Sequence, residues 1–449
     1  MGGFFLLSED YRHMKDLMIA TDCRIKIVMK KMREIDNREK DTIQHIFIIG
    51  AKSIGHYGGF ETFVDRLLRE HENENSIKYH IACKANGNGF MDESKLDSIS
   101  VLKGNKRGEV CEFEYKGAHV FKVVCPNIGS AVAIYYDLKS LLYSINYCKV
   151  NKITHPCFYI LTCRIGLFIK RCSKGIKNIG GVYYLNPDGH EWMRAKWSWY
   201  IKKYWKWSEK KMVIAADIVI SDSLAMEEYI KQKYEGKITK YISYGADLKR
   251  SLLKDDDQKF KKFLEDNMLR SNNYYMCCGR FVPENSFEVM IREFMKSYTC
   301  KDFVIITTKN DKLLSKIDSK LHFNMDKRIK FVGEVYDKEL LKKIRENAFG
   351  NMHGHTVGGT NPSLLEALSA TRINLLIDVP FNREVAGDAA FYWNKTDGNL
   401  AKLINEVDSL GQDKMDEYAC EARRRIETSY SWNLVGREYA DLWCDISRC

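Results

Sequence analysis

From Ile43 onward, short runs of β-branched and other apolar residues alternate with longer stretches whose apolar positions recur at helical spacing. IFIIGA is followed by an amphipathic segment from Glu61 to about His71, then by YHIACKA, HVFKVV and a helical stretch near Tyr135 to Ile145. GGVYYLN, a long helical segment and ADIVISDS continue the rhythm. Strands separated by helical crossovers predict parallel sheets covered by helices on both faces. The alternation pauses at YGADLKRSLLKDDDQKFKKFLEDN. It then resumes with YYMCCGR, a helix from Ser286, DFVIITT, RIKFVGEV, a helix from Asp337, AFGNMHG, a helix from Asn361, INLLID and AAFYWN. Such a restart predicts a second α/β domain rather than an extension of the first.

The expected organisation is an N-terminal extension over 1–42, a Rossmann-like domain over 43–247 and a charged linker over 248–270. A second Rossmann-like domain spans 271–430, and a C-terminal helix over 431–449 packs back on the first domain. In paired sheets of this kind, ligands bind beyond the carboxyl ends of the strands, so the site is expected in the cleft between domains.

Composition narrows the chemistry. The 449 residues suffice for two or three proper cores. Lysine and arginine outnumber acids 71 to 60, a balance that favours anionic partners. The 14 cysteines form no Cys-x-x-Cys pair, which points to free thiols in a reducing cytoplasm rather than to zinc or a disulfide framework. The longest apolar stretch, CFYILTCRIGLFIK, is interrupted by Arg164 and falls short of the roughly 20 residues of a membrane span. With no signal segment at the N-terminus, a soluble or peripheral protein is expected.

Four constellations carry candidate chemistry. In KSIGHYGGFETF, Gly58 and Gly59 open a helix behind a strand, with Tyr57 before them and Glu61 in the first turn. The glycines fit neither G-x-G-x-x-G nor a Walker loop, and the pair suits a phosphate or sugar, or a plain tight turn. In LNPDGHEWMRAKW, a strand ends in a turn followed by Asp188, His190, Glu191, Trp192, Arg194 and Lys196, groups that can bind hydroxyls and phosphate or move a proton. In CCGRFVPEN, Arg280 stands at a strand end, suited to bidentate phosphate binding. In HGHTVGGTNPSLLEAL, Gly358, Gly359 and Thr360 lead into a helix with Asn361 as N-cap, Pro362 at the first position, Ser363 beside it and Glu366 a turn later. Backbone amides there can receive a diphosphate, and Glu366 can accept from ribose hydroxyls. His353 and His355 have no companion ligands in sequence, so no metal site is assigned to them.

From Arg194 to Lys211, seven basic residues and four of the eight tryptophans occur with one acid. On a helix, Trp197, Tyr200, Ile201, Tyr204 and Trp205 share one face, and Lys196, Lys203, Lys206 and Lys210 another. Either an anionic membrane or nucleic-acid contact, or an aromatic stripe facing the core, fits this pattern.

Taken in order, GHYGGFETFVDRL, NPDGHEWMRAKW, ADIVISDS, YGAD, GRFVPEN and HGHTVGGTNPSLLEAL resemble GT-B-fold glycosyltransferases of family 4. Within that family the chain is similar to bacterial capsule and exopolysaccharide enzymes of the β-1,4-rhamnosyltransferase type. The resemblance implies two Rossmann-like domains facing a central cleft. It implies retaining transfer from a nucleotide-sugar donor, dTDP-rhamnose first among the candidates, to a lipid-linked saccharide acceptor, without metal or other cofactor. It implies catalytic roles for Asp188, Glu191, Arg280 and Glu366, and donor contacts from Gly58, Gly59, Arg280 and Gly359 through Ser363 with Glu366. Tyr57, His190, Trp192, Arg194 and Lys196 fall on the acceptor and membrane side, at the inner face of the plasma membrane, with no nucleic acid involved. Two positions depart from the wider family, which often has a glutamate where this chain has Gly358 and a lysine where it has Asn285. A non-catalytic nucleic-acid or membrane binder and a sugar-nucleotide epimerase of the same fold are the competing readings.

Overall fold

A computed structural model describes residues 43–447, apart from 56–57, 107, 195–196 and 309. The N-terminal extension, Tyr57 and Lys196 therefore lie outside the described residues.

Among the described residues, the first domain is built on nine strands: β1 (Gln44–Ile49), β2 (Ile77–Lys84), β3 (Ser100–Gly104), β4 (Val110–Tyr115), β5 (Ala118–Val123), β6 (Cys157–Leu161), β7 (Val182–Asn186), β8 (Ile218–Ser221) and β9 (Thr239–Tyr241). Their order across the sheet is β3-β4-β5-β2-β1-β6-β7-β8-β9. From β5 to β9 every pairing is parallel, as the alternation predicts. The β3–β4–β5 edge adds two antiparallel pairings that the rhythm does not reveal. All five residues of β6 and of β7 are buried, because helices cover both faces of the sheet.

The second domain carries β10 (Tyr274–Cys278), β11 (Asp302–Ile306), β12 (Ile329–Gly333), β13 (Gly350–His353), β14 (Ile373–Ile377) and β15 (Phe391–Trp393), in the order β12-β11-β10-β13-β14-β15 and wholly parallel. The stretch read as a linker holds a helix, Gln258–Asp266, capped by the Asp257 side chain. Its Phe260 and Phe263 pack with Tyr274, Met276 and Ile344, so this half of the stretch belongs to the core of the second domain.

After the Gln412–Ser429 helix, the chain crosses back as the Trp432–Ser447 helix. There Trp443 Nε1 donates to the Tyr79 hydroxyl at 3.0 Å, Tyr439 and Tyr159 share a hydrogen bond of 2.8 Å, and the Gly436 carbonyl meets His71 Nε2 at 2.8 Å. Each sheet has one place where successive strands diverge to opposite sides: β1 against β6, and β10 against β13. The loops leaving these four strands face each other across the inter-domain cleft, where the topology puts a binding crevice.

Candidate functional site

The cleft has a volume of about 2240 Å³ and is lined by the strand ends of both domains. On the C-terminal wall, β10 delivers Gly279 and Arg280, and the Arg280 side chain is exposed to the cleft. Asn285 fixes this loop: its Nδ2 donates to the Arg280 carbonyl at 2.7 Å, and its Oδ1 pairs with His355 Nδ1 at 2.7 Å. Thr356 adds two bonds, from its N–H and its hydroxyl, to the Glu284 carbonyl, both 3.0 Å. Asn285 thus serves as a clamp between the arginine loop and the loop after β13.

That second loop runs through Gly358 to the Pro362–Ala370 helix, where Asn361 Oδ1 accepts from the Ser363 N–H at 2.9 Å as the N-cap. One turn on, Glu366 is paired with Arg345 at 2.7 Å; the arginine side chain is 4% exposed and the glutamate 43%. Arg345 also reaches Ser363 Oγ at 3.4 Å, and Ser363 Oγ donates to the Cys278 carbonyl at 3.1 Å. One buried guanidinium therefore ties the acid to the helix start and to the end of β10. Burial, with Arg194 and Arg280 nearby, holds His355 down at about 4, so it is neutral at pH 7.

On the N-terminal wall, Gly58 and Gly59 begin the Gly59–Glu70 helix, and Glu61 Oε1 accepts from the Lys52 N–H at 3.0 Å. A Cβ at Gly59 would meet nothing within 4 Å, so the space in front of it is open. After β7, Asp188 adopts a left-handed backbone with φ 60°, a conformation that costs a non-glycine residue about 1 kcal/mol. Arg194 gathers the turn, lying 2.6 Å from Glu191 and 3.7 Å from Asp188, while Trp197 Nε1 donates to Glu191 at 2.9 Å. Burial pushes the Asp188 carboxyl up, with Arg194 opposing and Glu191 adding to the shift. Arg164, the residue that interrupts the long apolar run, turns out to be a site residue: it lines the cleft and is held by Asp137 at 3.1 Å and by the Gly50 carbonyl at 3.2 Å.

The two walls touch. A Cβ on Gly189 would lie 2.4 Å from the Gly358 Cα, and one on Gly359 would lie 2.2 Å from Asp222 Oδ1. Thr360 Oγ1 donates to the Asp222 carbonyl at 2.6 Å. Glu384 reaches across to accept from the Leu224 N–H at 2.9 Å, at the start of the Leu224–Lys233 helix, where a carboxylate complements the helix dipole.

Of the residues singled out in sequence, Gly58, Gly59, Asp188, Glu191, Arg194, Arg280, Gly359, Thr360, Asn361, Pro362, Ser363 and Glu366 all line this one cleft. His190 and Trp192 are turned into the first domain instead. His190 packs on Tyr229 and Trp192, and Trp192 Nε1 donates to the buried Glu209 at 2.9 Å. The two residues support the turn from behind rather than lining the cleft. Asp222, Arg345 and Arg164 carried no assignment in sequence. Asp222 stands in the quoted ADIVISDS, and Arg345 shares the apolar side of its helix with Leu341, four residues earlier.

This two-domain arrangement is the GT-B fold. It is shared with sucrose-phosphate synthase from Thermosynechococcus elongatus (TM-score 0.66, 14% identity, 90% of this chain and 99% of that one covered). HepE of Anabaena, solved in complex with UDP, matches with TM-score 0.62 and 13% identity over 89% of this chain and 99% of its own. A glycosyltransferase from Rickettsia africae matches with TM-score 0.63 and 13% identity, over 91% and 99% respectively. Residues 43–247 match a family described as a domain of unknown function (DUF1972). Among proteins of curated function, no sequence match was found.

Proposed function

We propose that the chain is a retaining glycosyltransferase that moves a sugar, rhamnose from dTDP-rhamnose being the first candidate, onto a lipid-linked saccharide in cell-surface polysaccharide synthesis. The observation that carries the reading is the convergence on one cleft of an exposed arginine, a capped helix start and an acid from the opposite domain. Arg280 and the amides of the Asn361–Ser363 helix start would hold the donor diphosphate and stabilise its negative charge as it leaves. Glu366, held by Arg345, would accept from the ribose hydroxyls. Asp188 would orient the acceptor hydroxyl, with Glu191 and Arg194 fixing its turn, and the departing phosphate would take the proton on the same face. A protein of this fold, Anabaena HepE, has been solved with UDP and glucose together, which supports a nucleotide-sugar donor here.

The Trp199–Ala215 helix supports the acceptor side of the reading. Trp199 and Tyr200 are 67% and 61% exposed, and Lys203 lies over the Trp199 ring at 4.6 Å. Trp197, Tyr200, Ile201, Tyr204 and Trp205 face the cleft, where aromatic rings suit sugar faces. The exposed tryptophans and lysines beside them suit an anionic lipid surface at the cytoplasmic face, and no described helix is long and apolar enough to cross a membrane.

Thermal-shift screening against dTDP, UDP, GDP and their sugars identifies the donor, because a ligand stabilises the folded state by mass action. In the transfer assay that follows, Arg280→Ala and Glu366→Ala are each expected to lower turnover at least about tenfold with the fold intact. Undiminished activity in both variants removes the donor-site assignment.

A further inference from the structure

Asp222 follows β8 where ADIVISDS leaves the sheet, and no role above uses its side chain. The residue is 2% exposed, yet it lines the cleft, and its Oδ1 has no hydrogen-bond partner. Both walls close over it. Gly359 approaches so near that any side chain there would collide with the carboxyl, and Thr360 fastens the same loop to the Asp222 main chain. Asp188 at the adjacent strand end, Glu384 of the other domain, and Tyr244, Tyr159 and Tyr439 all lie near enough to interact with it electrostatically.

A buried group left without a partner costs about 1 to 3 kcal/mol, so an unused oxygen here calls for an explanation. The two charged groups acting most strongly on it are both acids. Burial first, then Asp188 and Glu384, push the Asp222 carboxyl well above the usual range, which favours its protonated form. A neutral carboxyl has one O–H to give and one oxygen to accept with, which matches a hydroxyl that also does both.

We propose that Asp222 contacts substrate, its carboxyl group hydrogen-bonding one hydroxyl of the sugar being transferred. The proposal rests on the transferase reading and deepens it. Position selects the transferred sugar over the nucleotide: Asp222 sits at the seam between the Gly358–Thr360 loop on the donor side and the Asp188 turn on the acceptor side. The ribose assignment, Glu366 with Arg345, stays within the C-terminal domain. A site built around a hydroxyl discriminates strongly against a sugar lacking it, so Asp222 becomes a determinant of donor choice.

Calorimetry on the full chain tests this, comparing UDP, dTDP and GDP with UDP-glucose, dTDP-rhamnose and GDP-mannose. For the pair the wild type binds, the quantity read is the ratio of affinities for the nucleotide sugar and the bare nucleotide. Asp222→Ala is expected to lower that ratio about fivefold or more, and Asp222→Asn, which keeps a donor and an acceptor, to hold it within about twofold. An unchanged ratio in Asp222→Ala, or an equal loss in Asp222→Asn, overturns the proposal. Should Asp222→Ala fail to fold, Asp222→Leu, which fills the space with no polar group, takes its place, and a ratio held within about twofold there sinks the idea. A chain that binds nucleotide sugar but forms no glycoside refutes the transferase reading and still lets the ratio judge Asp222. Binding of none of the six ligands refutes both.

Discussion

Replacing Arg345 by methionine keeps the volume of a long side chain while removing the guanidinium that holds Glu366. The pair is 2.7 Å long, with one partner 4% exposed and the other 43%. A charge-assisted hydrogen bond contributes about 1.5 to 3 kcal/mol when shielded, and the half-exposed glutamate brings this towards about 1 to 2 kcal/mol. A double-mutant cycle over Arg345→Met and Glu366→Gln, followed by urea unfolding, is expected to return that coupling. Nucleotide affinity supplies the second reading. With Glu366 no longer anchored to the helix start, the Kd for the bound nucleoside diphosphate should rise about tenfold, equivalent to about 1.4 kcal/mol. Glu366→Gln should then add little to Arg345→Met. Coupling under about 0.3 kcal/mol together with an unchanged Kd in Arg345→Met would show that the pair neither stabilises the wall nor places the acid.

Three further outcomes follow from the same geometry. Gly189→Ala puts a methyl 2.4 Å from the Gly358 backbone, which cannot move aside as a side chain can, so the domains should separate; small-angle scattering then shows a larger radius of gyration, and an unaltered profile contradicts the contact. Asn285→Lys removes both bonds that the Asn285 side chain makes, so urea melts should show a loss of about 1 to 3 kcal/mol, and an unchanged midpoint would contradict the clamp. His355 is held at about 4 against an ordinary 6.5, so its neutral form contributes stability above pH 6.5 that is lost as pH falls through 4. His355→Asn should flatten that acid limb by about 3 kcal/mol, and an unchanged pH profile of unfolding would refute the assignment.

Most of the parallel strands were legible because burial on both faces leaves uninterrupted apolar runs, as in β7, whereas β6 stood out only as the start of the longest apolar stretch. The β3–β4 edge escaped notice for the opposite reason: every residue of β3 is exposed, so nothing in SVLKG marks a strand. The Gln258–Asp266 helix was hidden by its charge, with Phe260 and Phe263 three apart as its apolar signal. Glycine-rich turns and the capped helix start marked the C-terminal wall of the cleft because their backbone chemistry is written in residue type. Asp222 and Arg345 could not be read in the same way. A buried acid and a surface acid are the same letter, and an arginine on a lysine-rich helix looks solvated until the neighbouring strand end is in place. Arg164 looked like a flaw in an apolar run because its partner, Asp137, lies 27 residues earlier.

The glycine-to-glycine approach of residues 189 and 358 has a mechanical consequence. Bare backbone meeting bare backbone offers almost no side-chain adhesion, so this contact cannot hold the domains together. It limits how near they can come. The catch lies elsewhere, in Glu384 on the Leu224 amide and Thr360 on Asp222. At this point the width of the cleft is set by backbone geometry alone, with no side chain there to give way.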